Sequence, residues 1–209
     1  MTFNRLFWWV WLLLLLSPAL WAIYAIYSEA MSPGSMLGGD AGETLVHHFG
    51  DWGMRFLLVA LLASPLRRLT GSALPLRLRR MTGLAAFSLL SVHVLLYLWF
   101  MAGLSWATVV KDIVDRAYIT VGFAAWLVLL LLAVTSTRGW QRRLRRRWQQ
   151  LHRLVYLAAL LGIVHLVWAT KLGLAEAVFY GGAFLVLMGE RVLRSAFKPA
   201  PEGKRSMPV

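Results

Sequence analysis

Long apolar runs constrain this chain more than any other feature. Six segments of the 209-residue sequence are apolar over about the 20 residues that an α-helix needs to cross a bilayer. They lie at about 6–27, 51–66, 82–102, 118–137, 151–171 and 174–193. The hydrophobic content of 59% is too high for a soluble domain of this length. The sequence therefore predicts an all-α, polytopic membrane helix bundle with about six transmembrane helices.

The distribution of charge predicts how the bundle is oriented. Arginines crowd the loops at 67–80 and 138–150, neither of which contains an acidic residue, and basic residues recur in a tail at 195–209. Acidic residues fall in the opposite set of loops: Glu29, Asp40, Glu43, Asp51, Asp112 and Asp115. The positive-inside rule then places both termini in the cytoplasm. Because the net charge of +13 is explained in this way, nucleic-acid binding is not expected.

Three segments outside the apolar cores need separate expectations. The first apolar run is expected to remain as a helix, although Arg5 before it and small residues after it leave a cleaved signal peptide as the alternative. The outer loop at 28–50 is rich in Gly, Pro and Ser, so we expect it to be irregular. The basic loop at 138–150 could form a short surface helix against anionic headgroups.

Histidines carry the candidate chemistry, since the absence of Cys excludes thiolate-held clusters. His93 lies in the third run, thirteen residues beyond Arg80, and His165 lies in the fifth, twelve residues beyond Arg153. At ~1.5 Å per residue these depths agree within about 2 Å. Two imidazoles at equal depth on separate helices suit axial ligation of one haem iron. The alternative is that each ring bonds to a neighbouring carbonyl or hydroxyl.

His152, near the other end of the fifth run, has no matching histidine, because Arg79 and Arg80 stand where its partner would be. On an ideal helix it lies about 140° around the axis from His165. Three interpretations remain open. His152 ligates a second haem with a partner other than His, contacts a haem propionate or a flavin phosphate beside the arginines, or is only an interfacial residue.

The remaining histidines, His47 and His48, are expected to be exposed residues of the outer loop. Arg55 is expected to pair with Asp51 one turn earlier or to meet a haem propionate. Neither expectation requires a role in binding iron.

The pattern of His93, His152 and His165 resembles the ferric reductase-like transmembrane domain family. The resemblance is closest to its short bacterial members, the haem-binding subunits of periplasmic protein-methionine-sulfoxide reductase systems, and it covers almost all of a single domain at 1–209. The stretches that carry it are His47-His-Phe-Gly50-Asp-Trp52, Ser64-Pro65-Leu66-Arg67, Arg79-Arg80-Met-Thr-Gly83, Ala117-Tyr118-Ile-Thr120-Val-Gly122, Thr135-Ser-Thr137, Trp148-Gln-Gln-Leu-His152 and His165-Leu-Val-Trp168-Ala-Thr-Lys171.

The resemblance implies a membrane electron conduit in the bacterial inner membrane. It implies haem b held by His93 and His165, with His152 also involved, and an associated FMN. Electrons would come from the quinone pool or a cytosolic flavin reductase. They would pass to a periplasmic molybdopterin-containing subunit that reduces methionine sulfoxide in oxidised proteins, so catalytic reduction is expected on a separate subunit. The chain lacks the fourth histidine and the cytosolic FAD/NAD(P)H domain of larger ferric reductases.

Two other functions compete with this expectation. A small membrane transporter or proton pathway would use the intramembrane histidines as relays, although the sequence contains no evident internal repeat of the kind many transporters show. A ferric-reductase-like oxidoreductase with another outer acceptor is the second alternative, which the missing nicotinamide domain disfavours.

Overall fold

The computed structural model describes residues 3–170 and 174–196, with side chains at 5–169 and 178–193. The regular elements in these ranges are helices, which confirms the all-α prediction. In chain order they are α1 (Phe3–Met31), α2 (Ala41–Thr70), α3 (Leu74–Leu96) with a π-helical end (Tyr97–Met101), α4 (Trp106–Asp115), α5 (Ala117–Val134), α6 (Arg138–Leu144), α7 (Arg146–Leu151), α8 (Leu154–Thr170) and α9 (Leu174–Ala196).

Membrane-spanning character is confirmed for the bundle as a whole. Five helical stretches in the described residues are long and apolar enough to cross a bilayer, namely Arg5–Met31, Ala41–Thr70, Leu74–Met101, Ala117–Val134 and Arg146–Ala169. They correspond to the first five predicted spans, so the chain is a multi-pass membrane protein. The sixth predicted span falls on α9 and stays a prediction. Residues 197–209 of the predicted tail lie outside the described residues.

The N-terminal end of α2 corrects the predicted outer loop at 28–50. Helix α2 begins at Ala41, ten residues before the predicted span at 51–66, and continues to Thr70. The cause is a capping signal: the carboxylate of Asp40 accepts a hydrogen bond from the backbone N–H of Glu43 at 2.8 Å. The acidic Glu43 in the first turn also suits the positive end of the helix dipole.

The loop predicted between the third and fourth spans contains the helix α4. Ser105 caps it by accepting a hydrogen bond from the backbone N–H of Thr108 at 3.3 Å. One face of α4 buries Val109 and Asp112, while Trp106 on another face is 79% exposed. A short helix therefore covers this end of the bundle.

The fifth span is not the continuous helix that was predicted at 151–171. Helix α7 ends at Leu151 and α8 begins at Leu154, so His152 lies in the break. The preceding basic loop forms α6 and α7, which confirms the expected helix there. They are separated by Arg145, whose φ of 46° interrupts the helical hydrogen bonds.

Two antiparallel helix pairs, α2 with α3 and α5 with α8, form the most extensive packing of the bundle. Helix α1 packs beside them, and its Trp11 indole donates to the hydroxyl of Thr82 at 3.0 Å. Pro18 lacks the N–H that would bond to Leu14, and the hydroxyl of Ser17 donates to that carbonyl at 2.8 Å instead. The two pairs place their histidines in the bundle interior.

Candidate functional site

A cavity of about 280 Å³ lies among α2, α3, α5 and α8, and we call it the histidine cavity. Both His93 and His165 line it. The centres of their rings are 6.0 Å apart, and the ring planes are inclined by 80°. The structure therefore brings together the two histidines that were predicted to lie at equal depth.

The ring of His93 is held by the neighbouring helix α2. Its Nδ1 lies 2.8 Å from the carbonyl oxygen of Val46. Gly50 follows Val46 by one helical turn, and a Cβ atom there would lie 2.9 Å from the same Nδ1. That distance is too short for a side chain, so glycine is what lets the imidazole reach the carbonyl.

The ring of His165 is held in the same way by α5. Its Nδ1 lies 2.7 Å from the carbonyl oxygen of Tyr118. Gly122 follows Tyr118 by one turn, and a Cβ there would lie 2.5 Å from this Nδ1. In each helix pair, carbonyl and histidine are separated by 47 residues. The sequence analysis missed this repeated spacing because the residue types around it differ.

These two hydrogen bonds from Nδ1 to a carbonyl, which we call tethers, determine which ring nitrogen can bind a metal. A carbonyl oxygen only accepts hydrogen bonds, so Nδ1 of His93 and of His165 carries the proton, and Nε2 keeps its lone pair. Metal-binding histidines commonly donate their other N–H to a backbone carbonyl in this way. A metal–imidazole bond is about 2 Å long. The 6.0 Å between the ring centres is comparable with the length of two such bonds plus the distance from each ring centre to its nitrogen.

This donor set fits a haem iron. His93 and His165 would hold the iron through their imidazole nitrogens, and the haem itself would supply the remaining ligands. The rest of the wall includes apolar and aromatic side chains such as Leu90, Phe123, Trp126 and Leu129. The contacts through Nδ1 match the alternative interpretation, in which each ring bonds to a carbonyl, but they leave Nε2 for ligation. The two interpretations are therefore compatible, because they concern different nitrogens of the same rings, and ligation through Nε2 stays a prediction.

Ionisable side chains line the mouth of the histidine cavity, and most were missed by the sequence analysis. They are Glu43, His47, Asp51 and Arg116. His47 lies 3.7 Å from the carboxylate of Glu43, one turn away on α2. The expectation that His47 and His48 are exposed loop residues is wrong, because both lie within α2 and are half-buried. Their helical position follows from the cap at Asp40, which was the available signal.

Arg116 belongs to a polar cluster beside this mouth. The hydroxyl of Tyr97 donates to the buried carboxylate of Asp112 at 2.8 Å, and Arg116 lies 3.4 Å from the other oxygen of that carboxylate. A hydrogen bond with the Tyr118 side chain, followed by the charge of Asp112, raises the pKa of Arg116. Arg116 therefore stays cationic at physiological pH. The acid–base spacing of four residues at the end of α4 is the sequence signal for this pair.

His48 and Arg55 have structural contacts outside the histidine cavity. Nε2 of His48 lies 3.0 Å from the carbonyl oxygen of Pro18, and its ring stacks on Trp21 with centres 4.3 Å apart. His48 thus connects α2 to α1. Arg55 donates to the hydroxyl of Tyr180 at 3.2 Å and lies over the ring of Trp52, 4.9 Å from its centre.

His152 is held differently from the paired histidines. Its Nε2 lies 3.2 Å from the hydroxyl oxygen of Thr135, and its ring stacks on Trp148 with centres 4.0 Å apart. Because the Thr135 hydroxyl donates to the carbonyl of Leu131 at 2.7 Å, Nε2 of His152 is the donor toward Thr135. In this arrangement Nε2 carries the proton. The prediction that His152 contacts a cofactor stays a prediction.

A second cavity, of about 480 Å³, lies at the end of the bundle that carries the arginine-rich loops. We call it the arginine cavity, because Arg79, Arg80 and Arg153 line it together with His152. Its lining contains no acidic residue. The sequence analysis assigned these arginines to membrane orientation, and one of its interpretations placed them with His152 at a haem propionate or a flavin phosphate. It did not predict that they share a cavity.

A family model and several known proteins match this chain. The model of the family described as "Ferric reductase like transmembrane component" matches residues 49–163. A protein of Xanthomonas euvesicatoria pv. vesicatoria, named "Protein-methionine-sulfoxide reductase heme-binding subunit MsrQ", is 42% identical over 194 residues, which cover 93% of this chain and 86% of that protein. A protein of the same name from Rhodospirillum rubrum is 45% identical over 182 residues, covering 87% and 85%. No solved structure matches this chain significantly.

Proposed function

Since the chain belongs to the ferric reductase-like transmembrane component family, we propose that it is the haem-binding electron-transfer subunit of a protein-methionine-sulfoxide reductase system. The names of its relatives support this proposal, because they describe haem-binding subunits of such systems. The single observation that carries it is the pair of tethered imidazoles, His93 and His165, with ring centres 6.0 Å apart.

Haem b is the proposed cofactor, with His93 and His165 as the axial ligands of its iron. Held by both imidazoles, the haem would supply reversible one-electron transfer, and its iron would have no open position for a substrate. The carbonyls of Val46 and Tyr118 hold the proton on each Nδ1 and so orient each Nε2. Arg116 at the mouth is a cationic side chain suited to a carboxylate of the cofactor, and the imidazole of His47 in the same lining can hydrogen-bond to one.

The proposed path of electrons crosses the bacterial inner membrane. The arginine-rich loops support a cytoplasmic position for that end of the bundle, and both termini would lie there. The donor would be the quinone pool or a cytosolic flavin reductase, and FMN is a further proposed cofactor. The acceptor would be a periplasmic molybdopterin-containing subunit that reduces methionine sulfoxide in oxidised proteins. The chain would then be a redox subunit, with the catalytic step on its partner.

Haem quantification of purified histidine variants tests this proposal. The unmodified chain should show reduced-minus-oxidised bands of b-type haem, and His93→Ala and His165→Ala should each lose most of the haem. The control is His48→Ala, since His48 contacts Pro18 and Trp21 and does not line the histidine cavity. Full haem content in both His93→Ala and His165→Ala would show that the ligand assignment is wrong.

A further inference from the structure

Helix α4 presents an exposed apolar stripe, formed by Trp106, Val110 and Val114. Each of these residues is between 59% and 79% exposed. At ~100° per residue the three positions fall within about 80° of one another around an ideal helix. They extend over nearly the whole of this ten-residue helix. The stripe is therefore a continuous apolar surface and not a scatter of single exposed residues.

The rest of α4 divides into a buried side and a charged side. Val109 and Asp112 are buried against the bundle. Lys111 and Asp115 are exposed, and at ~100° per residue they lie about 140° and 180° around the helix from Trp106. The exposed surface of α4 thus has an apolar half and a charged half. This division is typical of a helix that lies in the plane of a membrane–water interface.

The helix that follows places α4 at the boundary of the membrane. Helix α5 has 18 residues and so extends about 27 Å at ~1.5 Å per residue, close to the hydrocarbon thickness of about 30 Å. Arg116 precedes it directly, and Arg138 begins the next helix. Only Arg116 separates α5 from α4, and the two helices pack together. Helix α4 therefore lies beside the edge of the hydrocarbon and not above it.

The stripe also follows, along the chain, on a surface that faces lipid. The π-helical end of α3 belongs to a membrane-spanning stretch, and its Trp99 and Phe100 are exposed. Leu104, between α3 and α4, is exposed as well. A soluble partner could cover this surface only by entering the bilayer. Lipid is therefore the occupant that the geometry favours.

We propose that α4 is an interfacial anchor, with Trp106, Val110 and Val114 inserted into the bilayer at the end of the bundle opposite the arginine-rich loops. Lys111 and Asp115 then face the headgroups and water. The anchor is independent of the proposed function, because it rests on the geometry of α4 and its neighbouring helices and on no cofactor or redox partner.

The anchor bears on the histidine cavity through the buried side of α4. Asp112 accepts a hydrogen bond from Tyr97 at 2.8 Å and lies 3.4 Å from Arg116. Both Tyr97 and Arg116 line the histidine cavity. Because a single turn of α4 carries both Val110 and Asp112, insertion of the stripe holds this side of the cavity mouth at the level of the lipid headgroups.

Spin labelling of the full chain in nanodiscs of phosphatidylcholine tests the anchor. Because the sequence contains no Cys, an introduced cysteine carries the only nitroxide. Collisions with oxygen, which concentrates in the bilayer, and with a water-soluble nickel chelate would be measured for Val110→Cys and Val114→Cys. Lys111→Cys is the matched control, since Lys111 is exposed beside Val110 on the same helix. Leu127→Cys, at an exposed position near the middle of α5, gives the value for hydrocarbon.

We expect the ratio of oxygen to nickel collisions to be several times higher at Val110→Cys and Val114→Cys than at Lys111→Cys. The labels on the stripe should lie about 5–10 Å into the boundary between headgroups and acyl chains. Gel filtration shows whether each labelled chain is folded. Ala107→Cys, at the exposed edge of the stripe, replaces a valine variant that does not fold.

Two results would overturn the anchor. A ratio at the valine positions as low as that at Lys111→Cys would mean that the stripe faces water and is open to a soluble partner. Low collision rates with both reagents would mean that protein covers the stripe. Spectral broadening that disappears on dilution with unlabelled chain would then identify a second copy of this chain as the cover.

Discussion

The histidine cavity and the arginine cavity differ in how each holds its histidine side chains. In the histidine cavity, His93 and His165 are both tethered through Nδ1 to main-chain carbonyls, which leaves both Nε2 atoms for a metal. In the arginine cavity, His152 donates from Nε2 to Thr135 and shares the lining with three arginines. The depth of a histidine in a membrane bundle therefore does not by itself determine what the histidine can bind. The nitrogen that is already bonded decides which chemistry remains.

The difference extends to the glycines that line each cavity. Gly50 and Gly122 lie directly against the rings of His93 and His165, whereas Gly83 in the arginine cavity has open space around the position of a Cβ. Glycine is therefore required at one site for close approach, and at the other it only leaves room.

The largest effect is expected from substituting these glycines. Gly122→Ala places a methyl group 2.5 Å from Nδ1 of His165, and Gly50→Ala places one 2.9 Å from Nδ1 of His93. Each should displace its ring and reduce haem affinity by more than about tenfold, since a misplaced ligand ring loses its bond to iron. Gly83→Ala is the control and should keep full haem, as measured by the pyridine haemochrome assay. Normal haem content in both Gly50→Ala and Gly122→Ala would show that these glycines are no more necessary than Gly83.

A smaller effect is expected at the histidine of the arginine cavity. Thr135→Val removes the acceptor of the His152 N–H in a position where Thr135 is 5% exposed. The unpaired donor should lower the free energy of unfolding by about 1–3 kcal/mol without changing haem content. Thermal unfolding in detergent and haem spectra provide the two measurements.

The control for this change is Ser88→Ala. The Ser88 hydroxyl bonds only to the carbonyl of Leu84 on its own helix, at 3.0 Å, among the described contacts. Loss of haem in Thr135→Val would mean that the two cavities are coupled.

At the mouth of the histidine cavity, Tyr97→Phe should have a still smaller effect on stability. It removes the hydrogen bond to the buried carboxylate of Asp112 and should cost about 1 kcal/mol, which lowers the melting temperature by about 2–4 °C. Tyr24→Phe is the matched control, because Tyr24 is 61% exposed. An equal melting temperature for the two variants would show that the mouth cluster does not stabilise the fold.

The smallest effect is expected for the ion pair between Arg68 and Glu190, which joins α2 to α9 near the arginine cavity. Both side chains are partly exposed, so Arg68→Gln should cost no more than about 1 kcal/mol and less at high salt. A double-mutant cycle with Glu190→Gln, followed by thermal unfolding at two salt concentrations, measures the coupling. A large coupling that does not change with salt would contradict this expectation.

Much of the fold was predictable because hydropathy is a local property. The apolar runs located the first five spans, and counting from Arg80 and Arg153 placed His93 and His165 at one depth. The early start of α2 was missed, although Asp40 and Glu43 form a local capping signal. The glycines and Pro33 of the preceding segment led the prediction to an irregular loop instead.

Contacts that join distant parts of the chain could not be read in the same way. The tether from Val46 to His93 depends on how α2 and α3 pack, and no local pattern reports that packing. The break at His152 also changed the geometry, because the predicted rotation between His152 and His165 assumed one continuous helix. The arginine cavity appeared only when loops distant in sequence were brought together.

The tethers of His93 and His165 have a consequence for how this sequence can diverge. Main-chain carbonyls hold both rings, so replacing the side chains of Val46 and Tyr118 does not delete the acceptor atoms. The ligand geometry should therefore tolerate substitution at these two positions as long as the helices keep their places. Substitution should not be tolerated at Gly50 and Gly122, because any added side chain there meets an imidazole. In α2 and in α5, a position that can vary is thus followed one turn later by a position that must stay glycine.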